Sequence, residues 1–237
     1  MIVFPINWGR VGRHIGIKEI DYTLNSIIWN IDCNCLSFSG GLDSTLLLWH
    51  MCMVRLSMAK DFSPVLIKVF TAARSMKHPD MTYAQMVVEY FRDKFKHIDL
   101  VHYILDIEKE SKCNGIELFY KYIAGHTDSI IAGDGVDEFM CGYYDHQNST
   151  LHDRSRIYYY HIRQLQKNHL IPLNENSGEV RVYLPYIDES LIALYSQIPL
   201  GEKVDKNTRK KVMVAMAKGK VPDEVLTRRK YGFCDVS

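Results

Sequence analysis

Apolar residues along the chain fall into short blocks that alternate with longer stretches spaced for one face of a helix. Residues 24–29 close a helix-like stretch, and 33–38 (C-N-C-L-S-F) predicts a short buried strand. A Ser-Gly-Gly break follows, after which 43–58 has helical length and a thick apolar face. The block 64–70 (PVLIKVF) predicts a second strand. Met81, Ala84, Val87, Val88 and Phe91 then mark the inner face of a helix over 81–95. A third strand is predicted over 100–105, a helix over 115–123, and a fourth strand over 129–132 that runs straight into Gly133-Asp134-Gly135. Strands alternating with helices predict an α/β fold, a parallel twisted sheet with helices on both faces.

From about residue 153 the pattern turns mainly helical, over 158–169, 189–197 and 206–218, with a loop at 174–179. We therefore expect a single domain over 1–237. Residues 1–150 form its α/β core, and 151–237 form a helical lobe packed on the sheet.

Composition narrows the class. Apolar residues at 47% and charged residues at 24% suit a soluble globular chain with a sizeable core. No apolar run reaches the ~18 residues of a membrane span, and the N-terminus lacks the pattern of a secretory leader, so a cytoplasmic protein is expected. The six cysteines include no C-x-x-C pair, which argues for reduced thiols rather than zinc or disulfides. A net charge of +1 is not that of a general nucleic-acid binder, and only the stretch 203–230 is clearly basic.

The first glycine break, Ser39-Gly40-Gly41-Leu42-Asp43-Ser44, carries chemistry. Its glycines let the backbone approach a ligand, and the helix that follows aims its free N–H groups into the same space. Serine hydroxyls complete an oxyanion cradle, while the carboxylate of Asp43 suits a metal. The second break, Gly133-Asp134-Gly135-Val136-Asp137-Glu138, ends the fourth strand with three carboxylates. Carboxylates facing a phosphate cradle repel the phosphate unless a divalent cation lies between them. Asp43 and Asp137 are therefore the expected Mg²⁺ ligands.

The hexapeptide resembles the S-G-G-x-D-S loop of the PP-loop ATP pyrophosphatase superfamily. Residues 132–143 (A-G-D-G-V-D-E-F-M-C-G-Y) are similar to the G-E-G-x-D-E-x-x-x-G-Y signature of the asparagine synthetase synthetase domain. His78-Pro79-Asp80, the stretch 182–188 (V-Y-L-P-Y-I-D), Lys211, the V-P-D-E-V-L segment and Arg228-Arg229-Lys230 follow other elements of that family in order. The resemblance implies that Ser39, Gly40, Gly41, Leu42, Asp43 and Ser44, with Gly133 and Lys211, bind ATP. It places Asp134 and Asp188 beside the acceptor, and gives Lys230 the developing charge of adenylation and amide formation.

The chain departs from glutamine-using relatives. Residue 2 is Ile rather than a nucleophilic cysteine, and residue 134 is Asp where relatives usually have Glu. No glutaminase half is expected, so the amine would be ammonia, an acceptor amine, or ammonia from a separate subunit. The expected activity is an ATP- and Mg²⁺-dependent, AMP-forming amide ligase that adenylates a carboxylate. Two other readings stand beside it, modification of a nucleobase in RNA or DNA and a non-catalytic ATP-binding regulatory subunit. Oligomeric state is left open.

Overall fold

The computed structural model describes residues 15–59, 64–73, 75, 77–107 and 114–229. Helix α1 (Ile17–Trp29) leads into strand β1 (Cys35–Ser37) and helix α2 (Leu42–Met58). Next come β2 (Val65–Ala73), α3 (Pro79–Lys94), β3 (Ile98–Asp106), α4 (Gly115–Ala124) and β4 (Ser129–Ile131). Two short helices, α5 (Val136–Phe139) and α6 (Tyr144–Asn148), precede α7 (Leu151–Leu165), which passes through a π-turn into α8 (Ile171–Asn176). The chain continues through β5 (Arg181–Tyr183), α9 (Glu189–Gln197), α10 (Leu200–Lys203), α11 (Lys211–Ala217) and α12 (Asp223–Thr227).

The five strands form one all-parallel sheet in the order β3-β2-β1-β4-β5. This is the expected α/β architecture, with helices packed on both faces. Leu36, Ile67, Val69, Phe70, Ile130 and Ile131 are fully buried in the strands, as a doubly covered parallel sheet requires. Strand order reverses between β1 and β4, and in open α/β sheets a ligand crevice lies outside the carboxyl ends of strands at that point. Both glycine breaks sit there. Among the described residues no helix is long and apolar enough to cross a membrane.

Three boundaries differ from the sequence reading. Strand β2 continues past Phe70 to Ala73, pairing in register with β3 from Val65↔Ile98 to Ala73↔Asp106. Its polar residue Thr71 is accommodated because the hydroxyl donates to the Phe38 carbonyl at 2.6 Å. The helical stretch predicted from 158 begins at Leu151, where Thr150 caps it by accepting from the Asp153 N–H, and it runs on to Asn176. Finally, β5 lies beyond residue 150 yet pairs with β4. Three residues are too few to show a periodic signal, and the sheet draws on both parts of the chain.

One buried lysine belongs to this framework. The Lys203 side chain is wholly inaccessible to solvent. Its ammonium donates to the Tyr158 hydroxyl at 2.9 Å and sits 4.6 Å from that ring's centroid. Burial pulls its pKa down to about 8, only partly opposed by Cys141.

Candidate active site

The first turn is held from behind. Gly40 adopts φ +65°, and a Cβ there would stand 2.4 Å from the Ala84 N in α3, so only glycine lets the loop lie against that helix. Gly41 is the N-cap of the 17-residue α2, whose first-turn N–H groups and positive dipole end face the crevice. The Ser39 and Ser44 hydroxyls lie 3.3 Å apart, and the Gly41 N–H donates to Ser39 Oγ at 3.3 Å. Leu42 and Asp43 open α2, and the buried Tyr186 hydroxyl pins the Asp43 carbonyl at 2.8 Å. These groups form a cradle of N–H and O–H donors suited to an anion.

The second turn brings Asp137 to face Asp43. Gly142 lies directly under it, and a Cβ at that position would fall 1.8 Å from Asp137 Oδ1. The glycine of the G-Y pair is therefore a steric requirement for placing this carboxylate. Between the two acids stands Lys210, whose ammonium lies 2.5 Å from Asp43 Oδ2 and 2.7 Å from Asp137 Oδ1. Its own backbone is left-handed, with φ 49°. Burial pulls the Lys210 pKa down, but Asp137 and Asp43 together outweigh it and hold the pKa above the ordinary lysine value.

Two cavities meet at this point, and Ser39, Asp43, Asp80 and Asp137 line both. The larger, of about 730 Å³, is rich in cations, among them Arg209, Lys210, Lys218, Arg228 and Arg229. Leu42 also lines it. Arg228 ties the end of the described chain to the first turn and to the start of α3. It forms an ion pair with the Asp80 carboxylate, donates to the Ser39 carbonyl at 2.9 Å, and stacks 4.5 Å over the Tyr83 ring.

The smaller cavity, of about 450 Å³, runs inward past Gly133, Asp134 and Glu138 to Phe70, Phe119 and Tyr120. Glu138 is buried and accepts from the Tyr143 hydroxyl at 2.6 Å, with His169 Nε2 at 3.4 Å. Burial, opposed by His169 and reinforced by Glu138 and Asp137, pushes the Asp134 pKa above the usual carboxylate range.

The structure thus brings together Ser39, Gly41, Leu42, Asp43, Ser44, Gly133, Asp134 and Asp137. Gly40 supports the loop from behind. Lys211 lies elsewhere, with its ammonium 3.0 Å from Asp205 Oδ2 and 3.1 Å from the Gly201 carbonyl. The neighbouring Lys210 is the lysine that reaches the acids, because its left-handed backbone turns it inward. Asp188 caps α9, accepting from the Ser190 N–H at 2.9 Å, and lines neither cavity. Lys230 lies outside the described residues. His78 is buried and also serves as a cap, accepting from the Asp80 N–H at 3.1 Å.

Sequence reasoning missed Lys210 and the Glu138–Tyr143–His169 contact, which join residues far apart in the chain. It also missed a cluster of Asp145, His146 and His161. His161 Nε2 lies 2.7 Å from Asp145 Oδ2, and the potential ligand atoms of the three lie within 4.8 Å of one another. That cluster joins α6 to α7 and has no residue among those lining either cavity.

The Asp43–Asp137 pair fits a magnesium ion on donor chemistry. Two hard carboxylate oxygens converge on one point, which a single cationic group already occupies, and Mg²⁺ is commonly held by one or two carboxylates plus phosphate oxygens and water. A search among curated proteins finds no match to the chain. Residues 152–237, which carry β5, Lys210 and Arg228, match the family model described as asparagine synthase. That match covers little more than a third of the chain, and with the all-parallel sheet it is consistent with an asparagine synthetase synthetase-domain-like protein.

Proposed function

We propose that the protein is an AMP-forming amide ligase that joins a carboxylic acid to an amine at the expense of ATP. The observation that carries this reading is the convergence of Asp43, Asp137 and Lys210 beside the amide-lined loop, at the junction of a cationic and an acidic cavity. The triphosphate lies in the cationic cavity, with its pyrophosphate portion on the Ser39, Gly41 and Ser44 cradle and the first turn of α2. Asp43 and Asp137 hold Mg²⁺, which when bound neutralises the charge of the departing pyrophosphate.

The acceptor occupies the acidic cavity, with its carboxylate at the junction. An oxygen of that carboxylate attacks the α-phosphorus, the bond from α-phosphorus to the bridging oxygen breaks, and pyrophosphate leaves. The amine nitrogen then attacks the acyl carbon, the acyl–oxygen bond breaks, AMP departs with that oxygen, and the nitrogen loses a proton. Ammonia, an amine on the acceptor, or ammonia from a separate subunit can serve as nucleophile. The chain supplies mainly position and fixed charge.

The test is pyrophosphate and AMP release with Mg²⁺ and ammonium over a panel of carboxylates, RNA and DNA. Release that needs a carboxylate and disappears in Asp43→Ala supports the ligase. Release stimulated by nucleic acid instead moves the acceptor to a base, and ADP with phosphate as products removes adenylation altogether.

A further inference from the structure

The smaller cavity differs from its neighbour in more than size. Among its described lining residues there is no lysine or arginine, whereas Asp134 and Glu138 sit on one side of it. Its remaining basic group, His169, is engaged at its Nε2 by Glu138 at 3.4 Å and the Tyr143 hydroxyl at 3.3 Å. Glu138 in turn is satisfied by the Tyr143 hydroxyl. Among the described residues, Asp134 is met by no hydrogen-bond donor other than its own backbone N–H. Phe70, Phe119, Tyr120 and Leu173 also line it and give it a largely apolar and aromatic surface. A volume of about 450 Å³ falls within the size range of small-molecule sites.

If the reacting carboxylate lies at the junction, whatever else the acceptor carries extends into this cavity. Among the described lining residues, a second carboxylate or a phosphate would meet two acids and no lysine or arginine, where low dielectric strengthens repulsion. An ammonium would give Asp134 the partner that the described residues do not provide, and an apolar body would cover the aromatic side chains.

We infer that the acceptor is an amino-bearing carboxylic acid with an apolar or aromatic body, not a dicarboxylate, and that Asp134 selects it through its ammonium group. The inference rests on the ligase reading and specifies its substrate class.

Pyrophosphate release by the full chain, with Mg²⁺ and ammonium, distinguishes the cases using phenylalanine, leucine, aspartate and N-acetylphenylalanine as probes. Phenylalanine or leucine is expected to exceed both aspartate and N-acetylphenylalanine in kcat/KM by at least ~10-fold, the scale of one charge-assisted hydrogen bond. Asp134→Asn should shrink the gap between phenylalanine and its N-acetyl form to ~3-fold or less, mainly through KM. Aspartate equal to or better than phenylalanine, or an acylated probe as the preferred one, overturns the inference while leaving the ligase standing. Release with no carboxylate probe but with RNA or DNA removes the ligase reading, and the inference falls with it. The comparison of probes needs only the unmodified chain, so a variant that fails to fold does not blunt it.

Discussion

Lys203 and Lys210 are both buried, seven positions apart in the chain, and their pKa values move in opposite directions. Lys203 faces a hydroxyl and an aromatic ring, and its pKa falls to about 8. Lys210 faces two carboxylates, and its pKa rises. Burial alone therefore does not mark a functional lysine. What distinguishes Lys210 is that its charge is answered by two acids whose oxygens also suit a divalent cation. Lys203 keeps a buried charge at a cost, and Lys210 balances the charge of two carboxylates at the junction of the cavities.

The largest expected effect comes from removing an acid. Asp137→Ala should lower turnover by at least ~100-fold, because both the ion and the position of Lys210 depend on it. Single-turnover pyrophosphate release checks this, and a loss below tenfold would mean the pair is structural. Lys210→Met should destabilise the fold by ~3–5 kcal/mol in the absence of metal, since two partly buried carboxylates then face each other. Mg²⁺ should restore part of that loss, raising the melting temperature more than in the unmodified protein. Equal Mg²⁺ responses in the two proteins would break the comparison.

Lys203→Met should do the reverse. It removes a buried charge whose retention at neutral pH costs roughly 3 kcal/mol, so the variant should be more stable by ~1–3 kcal/mol with turnover unchanged within ~3-fold. The sign with pH is definite. A lysine whose folded pKa lies below its unfolded value loses stability as pH falls from about 10.5 through 8, so the gain should be larger at pH 7 than at pH 10. Denaturant titration at both pH values tests it, and a variant less stable at pH 7 contradicts the assignment.

The smallest effect is acidic. Burial lowers His102 and His146 from 6.5 to about 4, helped by Arg92 in the first and by His161 in the second. Both are neutral when folded, so their contribution is complete above about 6.5 and is lost as pH falls towards 4. The melting temperature should drop by a few degrees between pH 7 and pH 5, as ~1 kcal/mol shifts it by ~2–4 °C in a domain of this size. A flat profile would require compensating groups.

Much of this was legible in the sequence because it is written locally. Ser39, Gly41, Asp43 and Ser44 lie within six residues, and Asp134, Asp137 and Gly142 within nine, so strand–turn–helix patterning placed them at strand ends. The sheet followed from the same alternation. What stayed hidden depends on long-range geometry. Lys210 reaches Asp43 across 167 positions, and neither residue signals the other. Lys211, the neighbour that resemblance pointed to, differs from Lys210 in no property that a sequence displays. The left-handed turn at Lys210 decides between them. Asp188 can serve as a helix cap or as a substrate contact from sequence alone, and the structure shows the cap.

The Arg228 contact carries a consequence in time. Its guanidinium meets Ser39 across 189 positions and Asp80 across 148. During synthesis, the phosphate loop emerges early and its clamp comes near the end of the described chain. A nascent chain therefore completes its sheet before it can close the cationic cavity, and that cavity is the last part of the described chain to become rigid.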